Sequence, residues 1–357
     1  MNKIKILMHT QPKKDSFNAQ DLNGREIASR FDPKKFDIYF INLDEDIIDE
    51  KLKRSNIHII NIKTRNKILR EILILKVKLF SNFDISFYIR VFKSDNYFLK
   101  LLKLFKIKRI CIHMVENMLP YPNVNKEYQN TAKYNALASD YIFPISKKVS
   151  ETVEEEYSII TNKIVHIGVD TSLFLPNYNK NNKRLKIVSC GTFQKRKQPD
   201  LFVEISKEFK DMDFYWIGEG VLKNDLIQLI EKENLKNIFL LDNKPHKELS
   251  HFLSNSDIFL FPSIHEGFPK VIIEAMASGL PVIAFDTYGP ESILNSKTGY
   301  IVRDYNEMKS KLKYLCDNND IRKRMSVNAV RRAHEFDWDI IVNKWENIII
   351  DAIKNVN

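Results

Sequence analysis

Short apolar runs alternate along the chain with segments in which apolar residues recur at helical spacing. In the opening stretch, Lys3 and Lys5 alternate with Ile4, Ile6 and Met8, which is the two-residue period of a β-strand. Similar runs predict further strands over residues 37–43, 58–62, 85–88, 109–113, 141–145 and 163–167. Because helical patterns separate these strands, this half of the chain predicts an α/β fold with a parallel sheet.

The alternation is interrupted once, near the middle of the chain. Residues 168–184 are rich in Gly, Pro and Asn, which is typical of a linker. Strand-like runs then resume over residues 185–190, 213–217, 238–241, 258–261 and 281–285. The tail is helical in pattern, and Trp338 and Trp345 lie seven residues apart on one face. Since 357 residues, 44% of them hydrophobic, suffice for two cores, we predict α/β domains at 1–168 and 169–335 and a packed helical segment at 336–357.

The positive charge of the chain is concentrated in one region. The formal net charge is +10, yet residues 51–109 hold 16 Lys or Arg against three acids, so the remainder is slightly acidic. Within this region, residues 63–80 and 100–109 have a helical pattern with a basic face. Two interpretations stay open: a solvated helix face, or a face that meets an anionic membrane surface or an anionic acceptor. Nucleic acid is not expected, because no base-reading helix or aromatic-and-basic RNA motif accompanies the charge.

The cysteines and the acidic pairs predict neither disulfides nor a metal site. Cys111, Cys190 and Cys316 are far apart and lack a His or Cys partner at ligand spacing, so we expect buried thiols in a reducing compartment. The Asp-x-Asp pairs at 44–46 and 211–213 superficially resemble a metal-binding motif, but each is expected to be a polar turn beside a strand. No metal is predicted.

No stretch of the sequence predicts export or membrane insertion. The first residues lack the long apolar core of a signal peptide, and no apolar run approaches the roughly 20 residues that span a bilayer. We therefore expect a cytoplasmic protein, in which a membrane contact through residues 51–109 would be peripheral and on the inner face.

The stretch HEGFPKVIIEAMASG, residues 265–279, is the most informative in the chain and directly follows a strand-like run. Pro269 stands where a first-turn proline belongs, and Gly279 ends the helical pattern, so a short helix is predicted to begin at a glycine loop. The N-terminus of such a helix binds anions, and a diphosphate suits it. Glu266 and Glu274 flank this position. Each carboxylate can accept two hydrogen bonds from a vicinal diol, which predicts a sugar-nucleotide site.

These residues resemble the family 4 retaining glycosyltransferases, which have the GT-B fold. The spacing of Glu266 and Glu274 is similar to the family's Glu-x7-Glu signature, and the strings EGFP, EAMASG and PVIA look like the family's. Further similar motifs follow in family order: GVD at 168–170, GTFQKRKQ from Gly191, WIGEG at 216–220, Gly289-Pro290-Glu291 and FDW at 336–338. The resemblance covers the second half nearly continuously and the first half more loosely. It implies two facing Rossmann-like domains, the first binding the acceptor and the second the nucleotide sugar, with a C-terminal helix that crosses back to the first.

The resemblance also implies roles for residues of the second half. Glu266 would hold the hexose and Glu274 the ribose, while Arg196 and Lys197 would stabilise the charge that develops on the leaving diphosphate. Arg196 would supply a charge that the family often places at the position of Thr192. The other residues implied to bind the donor are Gly191, Gly267, Phe268, Pro269 and Lys270.

Three residues of the first half complete the implied site. His113 ends a predicted strand where the family often has a histidine near the donor sugar, which would make it part of the catalytic set. Asn23 and Gly24 open a predicted helix where the family has a paired-glycine loop, and they would contact the acceptor or a phosphate. Asn23 replaces the first of those glycines.

The expected function is that of a retaining, metal-independent hexosyltransferase without a cofactor. A nucleotide-diphosphate sugar, first of all a UDP-sugar, would donate a hexose to a glycan or lipid-linked acceptor in cell-surface polysaccharide synthesis. Two other classes stay open. A nucleotide-sugar epimerase of the same fold would need acid and base residues that the sequence does not single out. A non-catalytic subunit that binds a sugar nucleotide or an anionic membrane would have no need of Glu266 and Lys197.

Overall fold

A computed structural model describes residues 3–14, 18–43, 47–116, 126–287 and 289–355. The chain divides into two compact units: unit 1 consists of Met1–Ile167 and Trp338–Asn357, and unit 2 of Gly168–Asp337. In the described part of the chain, no helix is long and apolar enough to cross a membrane. The acidic pair at 44–46 lies outside the described residues. In the pair at 211–213, Asp213 begins a strand and its carboxylate lies 2.9 Å from Nε of Arg184.

Unit 1 is built on a six-stranded sheet in which neighbouring strands run parallel. Its strands are β1 (Ile4–His9), β2 (Phe36–Leu43), β3 (Ile57–Ile62), β4 (Ile85–Tyr88), β5 (Ile110–Val115) and β6 (Tyr141–Pro144). The helices that connect them are α1 (Ala19–Arg30), α2 (Lys67–Phe80), α3 (Lys93–Leu104) and α4 (Lys126–Ala138), followed by α5 (Lys147–Tyr157). The order across the sheet is β3-β2-β1-β4-β5-β6, so the winding reverses between β1 and β4. Every residue of β4 and β5 is buried, as expected for strands covered on both faces.

Unit 2 repeats this architecture. Its strands are β7 (Lys186–Cys190), β8 (Asp213–Ile217), β9 (Ile238–Leu241), β10 (Ile258–Phe261), β11 (Val282–Phe285) and β12 (Gly299–Val302). Its helices are α6 (Pro199–Glu208), α7 (Lys223–Lys232), α8 (His246–Ser254), α9 (Lys270–Ala277), α10 (Tyr305–Asp317) and α11 (Asn319–His334). The parallel strands are ordered β12-β11-β10-β7-β8-β9, so the winding reverses between β7 and β10. The α/β fold class with two Rossmann-like sheets, predicted from the sequence, is confirmed.

The last helix, α12 (Trp338–Lys354), belongs to unit 1. Trp338 and Trp345 are both buried. The ring of Trp345 lies 4.8 Å from that of Phe87 in β4 and 5.2 Å from that of Phe143 in β6, measured between centroids. The two tryptophans therefore mark the face by which this helix packs.

Helix α1 starts earlier than the sequence predicted, and the expected position of Asn23 and Gly24 at its opening is wrong. The Asn18 side chain accepts a hydrogen bond from the N–H of Gln20 at 2.9 Å and so caps a helix that begins at Ala19. Asn23 and Gly24 lie beyond the first turn, where backbone N–H groups bond within the helix. Their backbone amides are therefore not available to cradle a phosphate.

The segment 163–167, predicted as a strand, forms no regular ladder with β6. The N–H of Asn162 donates to the oxygen of Ile142 at 2.7 Å, and the N–H of Val165 donates to the oxygen of Pro144 at 3.0 Å. A regular parallel ladder joins donors two residues apart to acceptors two residues apart. The donors are three residues apart, so one extra residue interrupts the pairing and the segment is irregular.

Candidate active site

The loops that follow β7 and β10 meet at the carboxyl edge of the second sheet. Parallel α/β sheets bind ligands where the strand order reverses, and in unit 2 this place lies between β7 and β10. The backbone oxygen of Arg196, in the first loop, accepts hydrogen bonds from the N–H of Ile264 at 2.9 Å and from the hydroxyl of Ser263 at 3.2 Å. These bonds join the two loops into one wall of a crevice.

The centre of this wall is a cluster of charges around Glu266. Its Oε1 atom lies 2.5 Å from Nζ of Lys197 and 2.9 Å from Nη1 of Arg196, and it accepts a 2.6 Å hydrogen bond from the hydroxyl of Ser263. The side chains of Lys197 and Glu266 are 10% and 11% exposed, whereas that of Arg196 is 43% exposed. The structure thus brings together three of the predicted catalytic residues, with two cations on one carboxylate.

The side chain of Lys197 is held from several sides. Its methylene groups pass over Gly191, where a Cβ atom would lie 3.5 Å from them. Its ammonium group lies 5.1 Å from the centre of the Phe261 ring. Burial lowers the pKa of this ammonium group, and the carboxylate of Glu266 opposes the shift. Lys197 therefore presents a fixed, largely desolvated positive group at the crevice.

Helix α9 begins a few residues after Glu266. Its N-cap residue, Pro269, makes no side-chain capping hydrogen bond, and the helix dipole adds positive potential at this end. Gly267 and Phe268 lead into the cap and Lys270 is the first helical residue, so the residues predicted from the EGFPK string all lie at this helix start. A diphosphate placed here would meet backbone donors and the two nearby cations together.

Glu274 lies in the second turn of α9 with only 5% of its surface exposed. Burial raises the pKa of the Cys190 thiol at the end of β7; Glu274 raises it further and Lys197 lowers it, which places both charges near that strand end. A carboxylate only accepts hydrogen bonds, so Glu274 suits a ligand that donates through hydroxyl groups.

Two further loops close on the same edge of the sheet. After β8, Gly218 approaches Gly191 so closely that a Cβ atom would lie 2.0 Å from the Gly191 oxygen, and only glycine fits. After β11, a Cβ atom on Gly289 would lie 2.5 Å from Cδ of Pro269 and 3.0 Å from the oxygen of Glu266. The WIGEG and Gly-Pro-Glu motifs, distant in sequence, therefore border one site.

Unit 1 has a crevice of its own between β1 and β4. The carboxylate of Asp21 accepts a hydrogen bond from the hydroxyl of Thr10 at 3.0 Å and lies 2.5 Å from Nη1 of Arg90. Asn23 donates through Nδ2 to Oε1 of Glu116 at 3.0 Å, and both side chains are buried. Polar side chains from α1 thus face the ends of the central strands.

Close packing of α1 explains the glycine at position 24. A Cβ atom at this position would lie 2.5 Å from Cγ2 of Thr10, so the absence of a side chain lets α1 approach the loop after β1. The acceptor or phosphate role implied for Asn23 and Gly24 stays a prediction, and the helical backbone restricts it to contacts of the Asn23 side chain.

Three polar aromatic side chains stand side by side on neighbouring strands of unit 1. The register pairs His9 of β1 with Tyr88 of β4, and Tyr88 with His113 of β5. Nδ1 of His9 lies 3.0 Å from Oδ1 of Asp95, which Nζ of Lys78 approaches at 2.5 Å. Burial lowers the pKa of His9 and of His113 to about 4, so both imidazoles are neutral at pH 7. A neutral His113 can exchange hydrogen bonds with a sugar hydroxyl, and its place beside the donor sugar stays a prediction.

The lowered histidine pKa values predict that unit 1 loses stability in mild acid. In the unfolded chain His9 and His113 take up protons near pH 6.5, whereas in the folded protein they do so near pH 4. The unfolded state therefore binds more protons between these values, and the stabilisation is complete above pH 6.5 and is lost as the pH falls towards 4. We expect the free energy of unfolding to fall by up to about 3 kcal/mol for each histidine over this interval.

Urea unfolding at a series of pH values measures this loss. Replacing His113 by Asn should remove about half of the pH dependence, whereas His334→Asn, at an exposed position on α11, should leave it unchanged. An unchanged pH dependence in His113→Asn would contradict the assignment.

Several residues of the two crevices were not singled out from the sequence. Ser263, which donates to Glu266, stands in no recognisable motif. Asp21 and Arg90 are 69 residues apart, and His9 and Asp95 are 86 apart, so only the order of the strands brings each pair together. In the described ranges, no group of three or more His, Cys, Asp or Glu is arranged to hold a metal ion.

Comparisons with known proteins show that the second unit is similar to one family. Residues 171–332, nearly all of unit 2, match the family model described as Glycosyl transferases group 1. An uncharacterized glycosyltransferase of Methanocaldococcus jannaschii is 28% identical over 212 residues, which are 58% of this chain and 58% of that protein. The N-acetylgalactosamine-N,N'-diacetylbacillosaminyl-diphospho-undecaprenol 4-alpha-N-acetylgalactosaminyltransferase of Campylobacter jejuni is 30% identical over 217 residues, 56% of this chain and 57% of that protein. The chain thus spans little more than half the length of these relatives.

A solved structure extends the likeness to the whole fold. Anabaena HepE, in complex with UDP, superimposes with a TM-score of 0.77 at 13% identity, over 98% of this chain and 100% of that chain. At this identity the likeness concerns the fold alone. The family match contains every second-half residue of the candidate site, from Gly191 to Glu274. Residues 171–332 are thus similar to the glycosyl transferases group 1, and the two Rossmann-like sheets of the chain are those of the GT-B fold.

Proposed function

We propose that the chain is a retaining glycosyltransferase that moves a hexose from a nucleotide-diphosphate sugar to a glycan or lipid-linked acceptor in cell-surface polysaccharide synthesis. The observation that carries this proposal is the cluster of Arg196, Lys197 and Glu266 beside the start of helix α9. Two cations and a helix N-terminus suit a diphosphate, whereas carboxylates suit hydroxyl groups. A site for phosphate alone would not need a carboxylate at its centre.

The donor is proposed to lie across the loops that follow β7 and β10. Its diphosphate takes the place beside Arg196 and Lys197, where backbone amides at the start of α9 also donate to it. Glu266 then exchanges its contacts with the cations for hydrogen bonds from the hexose hydroxyls. The buried carboxylate of Glu274 accepts hydrogen bonds from the two ribose hydroxyls. Each part of the donor thereby meets a group of matching chemistry.

In the proposed reaction, the bond between the anomeric carbon and the β-phosphate oxygen breaks while a bond to the acceptor oxygen forms on the same face of the sugar. The acceptor hydroxyl gives its proton to the departing phosphate oxygen, so the products are the glycoside and the nucleoside diphosphate. Negative charge grows on the diphosphate as its bond breaks, and Arg196 and Lys197 therefore stabilise the transition state more than the ground state. Because the protein supplies these cations, we propose that the reaction needs no metal ion and no cofactor.

The names of similar proteins support particular substrates. HepE was solved with UDP, which supports uracil as the base of the donor. The Campylobacter jejuni relative is named for a diphospho-undecaprenol acceptor, which supports a lipid-linked acceptor. Both remain proposals for this chain.

The proposal is tested on the full chain with a panel of UDP, GDP, ADP and their hexose conjugates, in the presence of EDTA. We expect the uridine compounds to raise the melting temperature, and UDP-hexose to release UDP slowly by hydrolysis when no acceptor is supplied. Stabilisation without any release of UDP, with or without candidate acceptors, would identify a non-catalytic binding subunit. Conversion of the sugar without release of UDP would identify an epimerase, and either result would overturn the proposal.

A further inference from the structure

Helices α2 and α3 expose large apolar side chains that a solvated basic face does not explain. On α2, Ile68, Ile72 and Phe80 are 75%, 56% and 73% exposed, and their spacing in multiples of four turns them to one side of the helix. On α3, Tyr97 and Leu104 are 64% and 71% exposed. If these helices only covered the sheet, their exposed positions would be polar.

The exposed side chains of the two helices share one surface. A groove of about 590 Å³ is lined by Ile72 and Leu75 from α2 and by Phe92 and Tyr97 at the start of α3. Phe105, 58% exposed, extends the apolar surface beyond the end of α3. We call this surface the α2–α3 face, with the apolar residues Ile68, Ile72, Phe80, Tyr97, Leu104 and Phe105. Apolar surface of this kind marks a contact with another protein or with a membrane.

The α2–α3 face is positively charged. The two helices hold seven Lys and Arg residues and only two acids, Glu71 and Asp95. Asp95 is buried against Lys78 and His9, so it contributes little negative charge to the surface. The exposed lysines that stand among the apolar side chains are Lys67, Lys76, Lys100 and Lys103, whereas Lys93 is paired with Glu127 of α4.

Lysines and large apolar groups in alternation complement a bilayer that contains anionic phospholipid. The apolar groups enter the boundary between headgroups and acyl chains, while the long lysine side chains reach headgroup phosphates. A protein partner suits this face less well, because lysine is depleted in protein interfaces, where its flexible side chain is costly to immobilise.

We propose that the α2–α3 face docks the chain peripherally on an anionic phospholipid bilayer. The docking surface lies wholly in unit 1 and does not depend on the donor site of unit 2. Of the basic region 51–109, only the outer sides of α2 and α3 are proposed to contact the membrane. This contact requires the exposed apolar groups as well as the positive charge.

The test is sedimentation of the full chain with vesicles of phosphatidylcholine alone and of phosphatidylcholine with phosphatidylglycerol. We expect the anionic vesicles to bind at least tenfold more tightly than the neutral ones, and to release the protein as salt increases. A lysine near an anionic surface contributes about 1 kcal/mol, or about fivefold in affinity, so Lys76→Gln with Lys100→Gln should weaken binding about 25-fold. Ile72→Ser with Phe80→Ser keeps the charge and should weaken binding at least tenfold.

The matched controls are exposed positions of unit 2. Lys232→Gln with Lys247→Gln, and Val221→Ser, remove the same kinds of side chain elsewhere and should leave vesicle binding unchanged. Thermal melting shows whether each variant is folded. The Ile72→Ser, Phe80→Ser protein should bind UDP as tightly as the wild type does, so a loss of vesicle binding can be distinguished from a failure of the donor site.

Two outcomes would overturn the proposal. One is binding to anionic vesicles that is no tighter than to neutral vesicles, or that persists in both double variants. The other is a chain that ignores vesicles and forms a dimer, which Ile72→Ser with Phe80→Ser converts to a monomer; the α2–α3 face would then be an interface between copies of this chain.

Discussion

Replacement of Lys197 by alanine is expected to lower the rate of donor cleavage about 10²- to 10³-fold while changing the affinity for UDP-hexose much less. The ammonium group is fixed by Gly191 and Phe261 and is largely removed from water, so its attraction to the growing charge on the leaving diphosphate is weakly screened. Because that charge develops only as the bond breaks, the loss falls on the rate. Single-turnover release of UDP from bound UDP-hexose measures it.

Lys195 provides the matched control for this variant. It stands two residues away in the same loop with its side chain exposed, so Lys195→Ala removes an equal charge and should reduce the rate less than about threefold. In Lys197→Ala the carboxylate of Glu266 keeps its contacts with Arg196 and Ser263, so the protein is expected to stay folded. Equal rates for the two lysine variants would contradict the role of Lys197.

Replacement of Glu266 by glutamine is expected to lower donor cleavage about 10²-fold and to leave the affinity for UDP unchanged or higher. Before the donor binds, Oε1 of Glu266 engages both Arg196 and Lys197, so an incoming diphosphate competes with this carboxylate. The neutral amide of the glutamine attracts Arg196 and Lys197 less strongly than the carboxylate does, so both cations are available to the phosphates. UDP has no hexose and loses nothing, whereas UDP-hexose loses the hydrogen bonds that its hydroxyls donate to the carboxylate.

Calorimetric titration of UDP and UDP-hexose into Glu266→Gln and Glu274→Gln separates the two carboxylates. Glu274 is proposed to hold the ribose, which both ligands share, so Glu274→Gln should weaken both by the same factor, about tenfold or more. Glu266→Gln should weaken the binding of UDP-hexose relative to that of UDP, and it should not weaken UDP itself. If Glu266→Gln weakens UDP as strongly as UDP-hexose, the hexose role assigned to Glu266 is wrong.

The fold could be predicted because each helix and strand is formed by a continuous segment whose apolar pattern indicates its type. The buried strands β4 and β5 are uninterrupted apolar stretches, and Trp338 and Trp345 show the packed face of α12 by their spacing alone. The errors arose where one residue changes the outcome. Asn18 caps α1 earlier than the Asn23 position suggested, and one extra residue between Asn162 and Val165 breaks a ladder that the apolar pattern predicted.

The candidate site could be predicted where it lies within one segment. Glu266, the glycine loop, the start of α9 and Glu274 follow one another in the chain, so their spacing places them together. The contact of Arg196 with Glu266 joins residues 70 apart and was not predicted; the family resemblance implied only that both residues belong to the donor site. No motif or resemblance indicated Ser263 or the His9–Asp95 pair, because their positions depend on the order of the strands.

The same limit applies to the basic region of unit 1. The sequence showed lysines at helical spacing but could not tell which apolar residues of the same helices face the core. Ile74 and Leu79 of α2 are buried, whereas Ile68 and Phe80 are exposed. This difference depends on how the helix packs on the sheet, and the proposed docking face rests on it.

Hydrogen exchange of the full chain with and without UDP tests most directly whether unit 2 binds a nucleoside diphosphate where the loops after β7 and β10 meet. We expect slower amide exchange on addition of UDP in residues 191–198 and 263–272, and unchanged exchange in α2 and α3 of unit 1. Unchanged exchange in both loops at saturating UDP, or slower exchange confined to other segments, would contradict the donor site.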